Sequence, residues 1–117
     1  MSELKSLMLL EPRLTLAVAE SLTSGRLQAR IGAISGASEF FLGGMTAYSL
    51  EQKVRHLGVD QAGAEAANSV SATVAEQMAR GACALFGSDV GVATTGYAEP
   101  SEKWNIDDPF GLSLIHI

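Results

Sequence analysis

The sequence predicts an α/β domain: a three-layer α/β/α sandwich around a largely parallel or mixed sheet. Two observations carry that prediction. Short apolar runs of strand length alternate with amphipathic helical stretches. The runs are nearly continuous in apolar residues, as strands covered on both faces are. The chain has 117 residues, 47% of them hydrophobic. That is the size of one domain with a sizeable core, and too apolar for a disordered chain.

Each element follows from its pattern. Leu4, Leu7, Met8 and Leu10 space a helical stripe over residues 2–10, which Pro12 ends. Residues 14–19 (LTLAVA) suit a buried parallel strand. The polar stretch 20–25 precedes a helix with Leu27, Ile31 and Ile34 on one face and Arg26 and Arg30 on another. The side chain of Ser21 or Thr23 is the expected cap of that helix. Residues 35–38 form a loop, and Phe40-Phe41-Leu42 an apolar anchor. Gly43-Gly44 precede a second strand at 45–49, and residues 50–57 a short helix stopped by Gly58. Residues 62–67 are weakly helical. The strongest helix spans 71–86, with Val74, Met78, Ala82 and Leu85 as its apolar stripe and Gly87 beyond its end. Residues 89–94 form a third strand, 95–100 a loop, 101–109 an irregular polar stretch, and 110–117 a last strand.

The formal net charge is −5, which argues against a nucleic-acid-binding surface. No apolar run reaches the roughly 18 residues of a membrane span. Acidic Glu3 lies ahead of the first apolar stretch, unlike a signal peptide. A cytoplasmic protein with no membrane partner is expected. Cys83 is the single cysteine, lies in a helix and is read as inert. His56 and His116 have no metal-pair spacing. Only 18% of residues are charged, which leaves room for a homo-oligomer.

Three polar groups fall at strand ends: Ser21 to Gly25, Tyr48 to Lys53, and Thr94 to Gly96. Parallel strands bring such groups to one edge, where α/β folds bind ligands. The Ser21–Gly25 segment opens a helix and could cradle an anion, or simply cap the helix. Ser21 and Ser49 offer hydroxyls that need a base before they act as nucleophiles. A neutral Lys53 could be that base. Moving a lysine from roughly 10.4 to roughly 7.5 takes about 4 kcal/mol of desolvation or repulsion. Tyr48 could orient the base or relay a proton. Thr94, Thr95 and Gly96 offer hydroxyls and amides to a phosphate or an oxyanion, or form a turn. Glu20 is expected to be partly buried, tuning a neighbour or accepting backbone bonds. Trp104, Asp107 and Asp108 read as a lid or a surface patch, and Met78 and Phe86 as core.

At these residues the sequence resembles the CinA C-terminal domain family. Ala19 to Gly25 (AESLTSG) resembles its AESCTGG segment. Phe41 to Ser49, with Lys53-Val54-Arg55 and Leu57-Gly58-Val59, resembles FLGGVVTYSNEAKVRLLGV. Val70-Ser71, Val74-Ala75 and Met78-Ala79 match VSEEVAREMA, and Thr95-Gly96 with Ala98 and Pro100 match TGIAGP. The resemblance implies hydrolysis of nicotinamide mononucleotide to nicotinic acid mononucleotide and ammonia, in pyridine nucleotide recycling. It makes Ser21 the nucleophile and Lys53 its general base, with Tyr48 assisting. Glu20, Thr23, Ser24, Gly25, Thr94, Thr95 and Gly96 become the substrate-binding set. No cofactor and no metal are implied; the partner is a small-molecule nucleotide.

Several positions depart from the pattern. Leu22 stands for Cys, Ser24 for Gly, Leu50 for Asn, Tyr97 for Ile and Glu99 for Gly, and the glycine run after Pro100 is missing. Glu99 adds charge where a phosphate is expected. Two other readings therefore stay open: a catalytically silent nucleotide- or partner-binding paralogue, and a hydrolase of another amide or ester. The family domain continues for another strand and helix, so this single domain is expected to be incomplete at its C-terminus. Residues 112–117 can be encoded by CTG-TCT-CTT-ATA-CAC-ATC, a transposase end common in sequencing libraries. The native reading is therefore expected to end near Gly111.

Overall fold

A four-stranded sheet in the order β2–β1–β3–β4 organises the chain. The computed structural model describes residues 2–66, 71–97 and 110–117. β1 (Leu16–Glu20) is buried along its whole length. It pairs in parallel with β2 (Phe41–Thr46) and with β3 (Val90–Tyr97). β4 (Phe110–His116) runs antiparallel to β3. The helices are α1 (Ser2–Met8), α2 (Arg26–Gly32), α3 (Leu50–Leu57), α4 (Gln61–Ala66) and α5 (Ala72–Phe86).

The alternation of β1 divides its contacts between two layers. Leu16 and Val18 face a cluster with Met8 of α1, Ile31 of α2 and Phe40. Ala17 and Ala19 face the other cluster, with Leu57, Ala64, Val74, Met78, Ala79 and Ala82 from α3, α4 and α5. Helices thus cover the mixed sheet on both faces, and the three-layer expectation stands. The register aligns the strand ends: Glu20 is level with Thr46 of β2 and Thr94 of β3. This level row is the edge where the site is built.

Local chemistry fixes the helix starts. Ser49 Oγ accepts from Gln52 N at 3.3 Å to open α3, and Ser71 Oγ from Val74 N at 3.0 Å to open α5. Gly58 and Gly87 end these helices.

Four expectations are corrected. β2 begins at Phe41, with Gly43-Gly44 inside it, and ends before Tyr48-Ser49. A Cβ on Gly44 would lie 2.8 Å from the Gln28 side chain, so the glycine marks a close approach rather than a turn. β3 runs on through Thr95-Gly96, because β4 supplies partners for them at Leu112 and Gly111. Leu85 is 52% exposed and outside the stripe of α5. The cap of α2 is neither Ser21 nor Thr23, as described below. Val70, Ala98, Glu99, Pro100, Trp104, Asp107 and Asp108 lie outside the described residues.

The small residues of α5 and β3 let the layers approach closely. A Cβ on Gly91 would overlap the Ala79 carbonyl oxygen and lie 2.8 Å from Cys83 Sγ. A Cβ on Gly81 would overlap the Leu57 carbonyl oxygen. Helix propensity alone favours alanine over Gly81 by about 1 kcal/mol. The overlap reverses that sign. We expect Gly81→Ala and Gly91→Ala each to lower stability by about 1–3 kcal/mol, read as a lower denaturation midpoint with unchanged slope.

Candidate active site

Glu20 ends β1 on the same face as Leu16 and Val18, the face that meets α2. Its side chain is fully buried. Oε1 accepts from Leu27 N at 2.9 Å and from Thr23 Oγ1 at 2.5 Å; Oε2 accepts from Gln28 N at 2.9 Å. Burial alone would push this carboxyl up. Hydrogen bonds from Thr23, the Gln28 and Leu27 amides and the Gln28 side chain outweigh it and hold the pKa below the ordinary range.

Glu20 therefore caps α2, in place of the hydroxyl expected from Ser21 or Thr23. The residue at the N-cap position is Gly25, in the left-handed conformation (φ 98°) and with no side-chain bond. Arg26 N donates to Thr23 O at 3.0 Å and Ala29 N to Gly25 O at 2.9 Å. With Leu27 N and Gln28 N on Glu20, the first amides of α2 are all engaged. The anion cradle envisaged at this helix start is already filled by the protein's own carboxylate.

Ser21 is buried between β3 and the start of α3. Its N–H donates to Thr94 O at 3.1 Å and to Thr94 Oγ1 at 3.4 Å. Its Oγ donates to the Tyr48 carbonyl at 3.4 Å. Thr23 Oγ1 and Thr94 Oγ1 are 2.8 Å apart. Ser24 sits at φ 50°, a left-handed conformation uncommon outside glycine, and its Oγ donates to Ser21 O at 3.3 Å.

Lys53 lies on α3 and is only 3% exposed. Nζ donates to Thr95 Oγ1 at 3.4 Å. Desolvation on burial pushes its pKa down from the ordinary lysine value. The amine is thus moved toward the neutral form that can accept a proton. Ser21 and Lys53 share no direct hydrogen bond among the described residues; adjacent Thr94 and Thr95 link to each. The Tyr48 side chain is 64% exposed, so its carbonyl, rather than its phenol, meets Ser21. Gly96 lies farther along β3, level with Gly111.

The edge thus gathers Glu20, Ser21, Thr23, Lys53, Thr94 and Thr95, with the Tyr48 carbonyl. Two residues escaped the sequence reading, Thr46 and Gln28. Gln28 Nε2 donates to Thr46 Oγ1 at 3.4 Å beside Glu20. Thr46 was legible in principle, since the strand-end rule that marks Glu20 and Thr94 marks it too. Among the described residues, no cluster of three or more His, Cys, Asp or Glu could hold a metal ion. No described helix is long and apolar enough to cross a membrane.

The family profile of the CinA C-terminal domain matches residues 1–117. The chain belongs to the CinA C-terminal domain family. A CinA-like protein of Chlorobaculum tepidum is 50% identical over 93 residues, covering 80% of this chain and 22% of that protein. A CinA-like protein of Picosynechococcus is 48% identical over 101 residues, covering 86% of this chain and 24% of that protein. This CinA domain therefore spans about a quarter of the length of these curated relatives. Among solved structures, a CinA superfamily protein of Enterobacter cloacae has a TM-score of 0.82 at 25% identity, covering 97% of this chain and 74% of that one. One from Escherichia coli has a TM-score of 0.79 at 28% identity, covering 97% of this chain and 72% of that one.

Because the folded pKa of Glu20 is depressed below its ordinary 4.5, its contribution is complete above the unfolded value. It is lost as pH falls through the folded value. Glu20→Gln is expected to lower stability at neutral pH by about 1–3 kcal/mol. Its denaturation midpoint should also fall less steeply with acid than that of the parent.

Proposed function

We propose that this CinA domain hydrolyses the carboxamide of nicotinamide mononucleotide to nicotinic acid mononucleotide and ammonia, in pyridine nucleotide recycling in the cytoplasm. The observation that carries the reading is Lys53: a buried lysine with one long hydrogen bond, at the strand edge that also holds buried Ser21. The family resemblance supplies the substrate.

The chemistry follows from those two groups. Lys53 Nζ, neutral, takes the Ser21 hydroxyl proton as Oγ attacks the carboxamide carbon. The proton returns to the departing nitrogen as the tetrahedral intermediate collapses to an acyl-serine and ammonia. Water then attacks the ester, Lys53 again takes the proton, and the carboxylate product leaves with Ser21 restored. The contacts of Ser21 and Lys53, both 3.4 Å, are long for hydrogen bonds. Resting catalytic contacts are commonly long and tighten in the substrate complex. Thr95 lies where it can hold the Lys53 amine during that step.

A second reading is a nucleotide-binding module without turnover. It is favoured by the lack of a direct Ser21–Lys53 bond among the described residues, and by Glu99 where the family has glycine. Ammonia release from nicotinamide mononucleotide separates the two. Under the amidase reading, Ser21→Ala and Lys53→Ala each lower kcat/KM by about 10²-fold or more while the fold is retained. A folded parent protein that binds the nucleotide and releases no ammonia would establish the silent module instead.

A further inference from the structure

We propose that Glu20, Thr23 and Thr94 form a positioning chain for the Ser21 main chain, not a substrate-binding surface. The inference rests on the reading of Ser21 as the nucleophile.

The direction of the chain is fixed by what each group can donate. An ionised carboxylate only accepts. Thr23 Oγ1, 2.5 Å from Glu20 Oε1, therefore gives its proton to Glu20. Thr23 Oγ1 is left as an acceptor, so the 2.8 Å contact with Thr94 Oγ1 carries the Thr94 proton. Thr94 Oγ1 in turn keeps lone pairs for the Ser21 N–H at 3.4 Å, which also reaches Thr94 O at 3.1 Å. Protons therefore run one way: Ser21 N–H to Thr94, Thr94 to Thr23, Thr23 to Glu20. Chains of this kind polarise one another in a buried setting.

The carboxylate has little acceptor capacity left for a substrate. Two oxygens offer about four lone-pair sites. Thr23, the Leu27 amide and the Gln28 amide take three of them. Glu20 is also wholly buried and Thr94 only 8% exposed. The same chain occupies the Ser21 N–H, which removes it from the donors that an oxyanion could use. What the three side chains do control is where the Ser21 backbone sits, and hence where Oγ points. Errors of about 1 Å in such placement cost on the order of 10²-fold in rate.

The test is Thr23→Val, Thr94→Val, the double variant and Thr23→Ser, each checked for folding by near-ultraviolet circular dichroism. Two readouts are used: turnover of nicotinamide mononucleotide, and the rate of covalent labelling of Ser21 by a fluorophosphonate, followed by intact mass. The labelling does not depend on the choice of substrate. Each valine variant is expected to lower kcat and the labelling rate by about tenfold or more, with KM within about twofold of the parent. Thr23→Ser, which keeps the hydroxyl, restores both. The double variant is no worse than either single one, because one break already severs the chain. If the parent labels but does not turn over the nucleotide, the substrate assignment fails while the labelling rates still support or overturn the chain. A raised KM at unchanged kcat, additive losses in the double variant, or loss of labelling in Thr23→Ser would each overturn the proposal. So would a folded parent whose Ser21 does not label.

Discussion

The buried Glu20 carboxylate is the interaction on which the site depends. It ends the central strand, caps the following helix from seven and eight residues away, and holds Thr23 against Thr94 on the neighbouring strand. A bare carboxylate in a dry interior would be neutralised or expelled. Here Thr23 Oγ1 and the Leu27 and Gln28 amides converge on it, so the charge is kept and its pKa falls. In return the turn at residues 21–25 has one geometry. Gly25 takes the left-handed conformation that lets the chain double back into α2, and Ser21 is left facing the first residues before α3.

Lys53 is the opposite case at the same edge. It too is buried, but it has one long contact, to Thr95. No carboxylate is described within ion-pair distance of it. Its pKa falls because burial strips water from the amine. The fold thus holds two ionisable groups whose environments treat them differently. One is charged and held by three donors, which suits a structural role. The other is starved of partners, which suits a proton acceptor. Environments that separate two groups in this way are how acid and base roles are set in enzyme sites.

Much of this was legible in the sequence. The apolar run at 14–19, the periodicity of 71–86 and the caps at Ser49 and Ser71 are local signals, and they lead to β1, α5 and the openings of α3 and α5. The convergence of Ser21, Lys53 and Thr94-Thr95 followed from the rule that parallel strands end on one edge. What was not legible depends on distant partners. Gly43-Gly44 carry a turn signature, yet they lie in a strand because the Gln28 and Phe86 side chains pack where their Cβ atoms would be. Thr95-Gly96 look like a strand exit, yet β4 extends the ladder past them. The cap of α2 comes from an acid that no local capping rule would choose. Tyr48 offers a phenol in the sequence, while in the structure it is the Tyr48 carbonyl that meets Ser21.

Membership in the CinA C-terminal domain family accounts for the fold. The proposed chemistry rests on a narrower physical claim, that burial lowers the pKa of Lys53. Nuclear magnetic resonance titration of lysine ε-carbons, with Lys53 assigned by Lys53→Arg, measures this directly. The account predicts a Lys53 midpoint below the ordinary 10.5, and the same midpoint in Ser21→Ala, because desolvation rather than the serine is the cause. A Lys53 that titrates at the ordinary value would contradict it and leave Ser21 without its base.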